Sequence, residues 1–131
     1  MIQSILLSIF LGSLIGMERH QKHKSAGIKT IALICLGSCL YSQISVNFGL
    51  DQTRVIAQIV SGIGFIGAGV IFKSGLDVKG LTTAATIWVT SAVGVMCGLM
   101  NFQYAIITTI CVLVINILYG EFINNSNNEK Q

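Results

Sequence analysis

No charged side chain occurs between Gly80 and Gly120, and three shorter uncharged runs precede that stretch: Met1 to Met17, Thr30 to Leu50 and Val55 to Phe72. An ion at the centre of a bilayer costs at least about 2.5 to 3.5 kcal/mol. Uncharged runs of this length therefore mark the parts of the chain that can cross one. Charged residues are 10% of the whole, against roughly 25% in soluble domains, so an ordinary soluble domain is excluded. The 53% hydrophobic content and a mean hydropathy of +0.76 exclude a disordered chain, and the absence of Pro excludes a collagen-like one.

A helix that crosses the hydrocarbon needs about 20 apolar residues, and the run from Gly80 to Gly120 is too long for one crossing. Its weakest point is Gly98-Leu99-Met100-Asn101, where a Gly and an Asn mark a turn. The expected fold is an all-α integral membrane protein, a bundle of about five transmembrane helices over 1–17, 30–50, 55–72, 81–98 and 102–120. One domain covers 1–123, followed by a polar tail over 124–131. The first run has no basic residue ahead of it and no small-x-small site before Glu18, so it reads as a retained helix and not as a cleaved signal peptide.

Orientation follows from Lys and Arg in the short loops. Arg19, Lys22, Lys24 and Lys29 follow the first helix, Lys73 and Lys79 follow the third, and Lys130 lies in the tail; Arg54 alone falls on the other side. The amino terminus is expected outside and the carboxyl terminus in the cytoplasm. The net charge of +3 is then a topology signal. A nucleic-acid partner is not expected, since no basic face accompanies an aromatic platform for bases.

Cys35, Cys39, Cys97 and Cys111 all fall inside expected spans, where a disulfide staple has no aqueous oxidising surroundings. Cys35 and Cys39 share a helical face and could offer two thiolates to a metal, but no His or carboxylate stands nearby on that helix. They read as small packing residues. His20 and His23 are flanked by Arg19, Lys22 and Lys24, which repel a cation. No metal, cofactor or catalytic residue is assigned.

Gly62, Gly64 and Gly67 match the dinucleotide fingerprint G-x-G-x-x-G letter for letter. That fingerprint needs a strand before it and an acidic residue about 20 positions on; here the glycines lie in an apolar span with no such carboxylate. They read instead as packing residues, because lipid supplies no hydrophobic drive between helices and close approach through small side chains must hold them together. Gly62 and Gly69 share a face with Arg54 and Gln58, while Gly64 and Gly67 lie on others, so helix 3 is expected at the centre with neighbours on at least two faces. Gly12 with Gly16, and Gly94 with Gly98, repeat the small-xxx-small spacing. Asp51 is placed to cap helix 3 and to pair with Arg54, and Glu18 to pair with Arg19 or a cytoplasmic Lys.

On helix 4, Thr83, Thr86, Thr90, Gly94 and Cys97 recur at three- and four-residue intervals and form one small, polar face. Hydroxyls bonded to carbonyls one turn back account for it, and a narrow hydrophilic path is the alternative. Gln58 needs a partner if buried, and this face could supply one.

Several of these stretches, taken in one order, resemble the MgtC/SapB family of bacterial inner-membrane proteins. They are Gly12-x-x-x-Gly16-x-Glu18-Arg19, Lys24-x-Ala26-Gly27-x-Lys29-Thr30, Asp51-x-x-Arg54, Gln58-x-x-x-Gly62-Ile63-Gly64-Phe65-Ile66-Gly67-Ala68-Gly69 and Gly80-Leu81-Thr82-Thr83-Ala84-Ala85-Thr86-Ile87-Trp88. The resemblance runs from about Gly12 to Gly98. It implies a non-enzymatic membrane protein linked to growth in low magnesium, to ion homeostasis and, in pathogens, to virulence and survival inside macrophages. Modulation of a membrane ATPase, the ATP synthase or the membrane potential is the implied route. Many members continue into a cytoplasmic domain, so this chain is expected to represent the bare membrane module. The functional positions carried over are Glu18, Arg19, Asp51, Arg54 and Gln58, with the glycines of helix 3 and with Thr82 and Thr83.

A regulator acting through helix contacts fits the small-residue faces. A small transporter of magnesium or another cation is the alternative, but Asp51 is expected outside and Glu18 and Asp77 inside, so no carboxylate pair marks a midplane site. A membrane enzyme is not supported, because no Ser/His/Asp set or paired acids stand within the spans. The expected partners are the lipid bilayer, a membrane ATPase or ATP synthase, and a second copy in a homodimer. Five short helices cannot surround helix 3 and also fill the small faces of helices 1 and 4.

Overall fold

The structure, a computed structural model, describes the backbone of residues 1–128 and the side chains through Tyr119. Five helices follow one another: α1 Ile2–Gln21, α2 Ile28–Asn47, α3 Gln52–Gly69, α4 Leu81–Gly98 and α5 Phe102–Asn128. Four of them, α1, α2, α4 and α5, are long and apolar enough to cross a membrane. The fifth, α3, has 18 residues, but the polar residues Gln52, Thr53, Arg54 and Gln58 in its first two turns dilute its hydropathy. Large apolar side chains such as Leu6, Phe10, Leu33, Phe65 and Ile107 stand exposed around the bundle, as expected of surfaces that meet lipid.

The helix ends have local causes. Three helices close on a residue with positive φ: His23 (50°) after α1, Gly49 (62°) after α2 and Met100 (62°) after α4. In each case the next amide reaches back to the last turn, Lys24 to Arg19 O, Leu50 to Ser45 O and Asn101 to Met96 O. The turn expected at Gly98 to Asn101 is therefore present. The first helix runs past its expected end at Met17, because the Glu18 carboxylate pairs with Arg19 and Lys22 against the bundle, so these charges have no need to leave it. The tail expected over 124–131, with Lys130, lies outside the described side chains.

Between α3 and α4 the chain forms a small antiparallel hairpin, β1 Phe72–Ser74 with β2 Asp77–Lys79, in the register Phe72↔Lys79, Lys73↔Val78 and Ser74↔Asp77. The sequence reading has helix 3 running to Phe72 and then a plain loop; α3 instead ends at Gly69. Gly80 returns the chain to α4 with φ of 91° and lies directly under the Val70 carbonyl, where no Cβ fits.

The centre of the bundle is α4, and this corrects the expectation that helix 3 is protein-surrounded. Most of α4 is buried, whereas in α3 only Ile63 and Gly67 are. A glycine shows how close a neighbour can come, not whether one is there. A Cβ added at Gly62, Gly64 or Gly69 would meet nothing within 4 Å, and one at Gly67 only Ala84. The close approaches lie elsewhere. A Cβ at Gly12 would stand 2.8 Å from Cys35 Cβ, one at Gly16 2.7 Å from Ile28 Cα, and one at Gly98 2.5 Å from the Cys39 carbonyl oxygen. Cys35, Cys39 and Cys97 fill this junction of α1, α2 and α4 with no exposed surface and are free thiols.

Candidate functional site

Two polar groupings stand out, at opposite ends of the chain's hairpin of helices. The first is built where α1 ends. Glu18 and Arg19 are both buried, Arg19 with only 2% of its surface exposed. The guanidinium donates from Nε to Glu18 Oε2 at 2.5 Å and from Nη2 to Oε1 at 2.8 Å, and Lys22 Nζ approaches Oε1 to 3.1 Å. Lys22 Nζ also donates to the Asn116 carbonyl of α5 at 2.8 Å. One carboxylate thus holds two cations, and the second cation ties the end of α1 to α5. The pairing expected of Glu18 is present with both partners.

Chemically, this cluster has donors to spare. Arg19 Nη1 and the buried Asn116 Nδ2 have no hydrogen-bond partner among the described residues, and both Glu18 oxygens are engaged. A divalent cation wants free oxygen ligands, which a site with net positive charge and surplus N–H groups does not offer. Asn116 was not singled out from the sequence, although a lone amide within the apolar run of α5 was a readable signal.

The second grouping is the start of α3. Asp51 is the N-cap, and its side chain accepts from Arg54 N at 3.2 Å. The expected Asp51–Arg54 ion pair is not formed: the contact is to the amide of Arg54, because a cap residue aims its carboxylate at the free N–H groups of the first turn. Asp51→Asn is accordingly expected to keep the helix start, and Asp51→Ala to lose about 1 kcal/mol there. Faster amide hydrogen exchange at Val55 and Ile56 in the Ala variant alone checks it. Gln58 is exposed and lies in a groove between α2 and α3 with Arg54, so it does not reach the threonine face of α4.

That face is accounted for locally. Thr86 Oγ1 donates to Thr82 O at 2.9 Å and Thr90 Oγ1 to Thr86 O at 2.7 Å. Ser42, Ser45, Ser91 and Thr109 likewise bond carbonyls of their own helices. Thr83 is buried in the same row and Thr82 is exposed at the helix start. On α4 the hydroxyls of Thr86, Thr90 and Ser91 are spent on their own backbone, which is the packing account and not the hydrophilic path.

Comparison with known proteins places these features in a family. The MgtC family pattern matches residues 5–124. Protein MgtC of Salmonella typhimurium strain LT2 is 46% identical over 121 residues, which is 92% of this chain and 52% of that protein. Protein MgtC of Brucella abortus strain 2308 is 46% identical over 113 residues, 85% of this chain and 48% of that protein. The chain spans about half the length of the curated relatives it matches. No solved structure matches it.

Proposed function

The chain belongs to the MgtC family, and from that premise we propose that it is a non-enzymatic regulator of the bacterial inner membrane. It serves adaptation to low magnesium, and survival and virulence inside host cells, by modulating a membrane ATPase, the ATP synthase or the membrane potential through helix contacts. The observation that carries this reading is a contrast. Apart from Ser4 Oγ, Arg19 Nη1 and Asn116 Nδ2, the hydrogen-bonded polar groups inside the bundle are engaged with one another or with their own helices, while α3 presents a face with no protein against it among the described residues. Ala57, Ser61, Gly64 and Ala68 recur at helical spacing and are all exposed. In lipid, a small face of this kind gains by packing on another helix. A second copy in a homodimer or the regulated complex is its occupant in this reading. The small faces of α1 and α4, which the sequence argument also left for that purpose, are consumed within the chain.

The test uses two assays on the same variants. In liposomes loaded with a magnesium-sensitive dye, the protein produces no flux; in a deletion strain it restores growth at low magnesium, and Gly64→Leu abolishes that restoration. Magnesium flux that is lost on Gln58→Leu would instead assign the chain to cation transport.

The orientation proposed is amino terminus outside and carboxyl terminus inside, with the Arg19 to Lys29 loop in the cytoplasm. In a background without native cysteines, Lys24→Cys is expected to resist an impermeant thiol reagent applied to intact cells and to react after permeabilisation. Labelling from outside would reverse the topology.

A further inference from the structure

The strand of chain from Phe48 to Asp51 joins α2 to α3, yet the two helices diverge and leave a groove of about 780 Å³ between them. Leu33 and Ile34 of α2 and Val55, Ile59, Ile63 and Ile66 of α3 line its walls. At one end, beside the α2–α3 connection, stand Tyr41, Arg54 and Gln58. From Arg54 to Ile66 the furrow follows α3 for about 18 Å, against about 15 Å for the hydrocarbon of one leaflet. Gly62 lies about two-thirds of the way along, at about 1.5 Å per residue, and a Cβ there would meet nothing within 4 Å, so the furrow is open at that point.

Arg54 is exposed, and its guanidinium has no carboxylate partner among the described residues: the nearby Asp51 accepts from its amide. A cation at the membrane boundary above an apolar furrow at least one leaflet deep, which reaches Thr30 in the first turn of α2, has the complementary form of a single amphiphile with an anionic head and an apolar chain. We propose that the α2–α3 groove binds one phospholipid, its acyl chain along the Ile59, Gly62 and Ile63 wall and its phosphate on the Arg54 guanidinium, whose fork of N–H donors suits phosphate oxygens. A helix of a second copy fits less well. Apart from Gly37, Ser38 and Gly62 the walls are mostly branched and bulky, a charge stands at the mouth, and the small face of α3 that a helix would choose points away from the groove.

Native mass spectrometry of the full chain, delipidated in mild detergent and titrated with phosphatidylglycerol, tests this. The wild type is expected to take up one lipid per chain. Arg54→Gln raises the lipid concentration for half-occupancy about tenfold, and Gly62→Phe, which fills the furrow, does so at least as strongly. Leu6→Ala, on a lipid-facing surface of α1, leaves it unchanged, and Arg54→Lys retains part of the affinity. Equal uptake by the wild type, Arg54→Gln and Gly62→Phe overturns the proposal. So does loss on Gly62→Phe with full retention on Arg54→Gln, which would remove the headgroup contact. A dimer mass in place of the lipid adduct, abolished by Gly62→Phe, would give the groove to a second copy.

Discussion

Alanine at Gly94 is expected to lower the melting midpoint in detergent by about 10 °C, from a loss of about 3 kcal/mol, although the change adds a single methyl group. An added Cβ would press on the Cys35 carbonyl oxygen and stand 2.8 Å from Ser38 Cβ and 3.0 Å from the Cys35 carbonyl carbon. The obstacles are backbone atoms and a Cβ, which no rotamer change can move, so α2 as a whole must shift away from α4. The matched control is Gly62→Ala. It adds the same methyl group to open space and exchanges a poor helix former for a good one, so it is expected to be neutral or stabilising by up to about 1 kcal/mol. Circular dichroism melts of both variants decide between them. Equal losses would mean that α2 and α4 are not in close backbone contact at Gly94.

A second large effect is expected at Glu18. Its carboxylate is the only anion in contact with buried Arg19 and with Lys22 among the described residues. Glu18→Gln leaves two cations without an anion at the end of α1, one of them almost completely enclosed, and should cost about 3 kcal/mol. Removing the stranded charge as well, with Glu18→Gln and Arg19→Met together, should recover much of that loss, because an apolar side chain in the Arg19 volume has no unpaired charge to bury. Denaturant unfolding of the two single variants and the double variant yields a coupling of about 2 kcal/mol. Additive losses would show that the pair contributes nothing as a pair. The loss of Lys22 is expected to be smaller, since Lys22 is partly exposed and its bond to the Asn116 carbonyl is a single contact.

Much of the architecture was legible because the bilayer is a harsh solvent. Charges cannot stay in hydrocarbon, so the positions of Glu18, Lys29, Asp51, Arg54, Lys73 and Lys79 mark the connections between helices to within a few residues, and Gly98 to Asn101 marks the last of them. The Glu18 pairing and the Asp51 cap were legible for a similarly local reason, since each involves groups within one turn. The hairpin at Phe72 to Lys79 was not legible, because its short strands alternate too briefly to stand out from a polar loop. Lys22 and Asn116 were not linked in the sequence, being 94 residues apart.

Local chemistry, then, determined which segments become helices, where they stop and which side chains are small enough for contact. It could not determine which small faces are used. Gly12, Gly16, Gly94 and Gly98 and the glycines of α3 carry the same spacing signal, yet the first four are closed by neighbouring backbone and Gly62, Gly64 and Gly69 are open. The difference is global. Every helix competes for a limited number of neighbours, and α4 takes the central place because its small face accommodates α1 and α2 together. With α4 in that place, α3 is left at the edge with an open groove on one side and an unpacked small face on another.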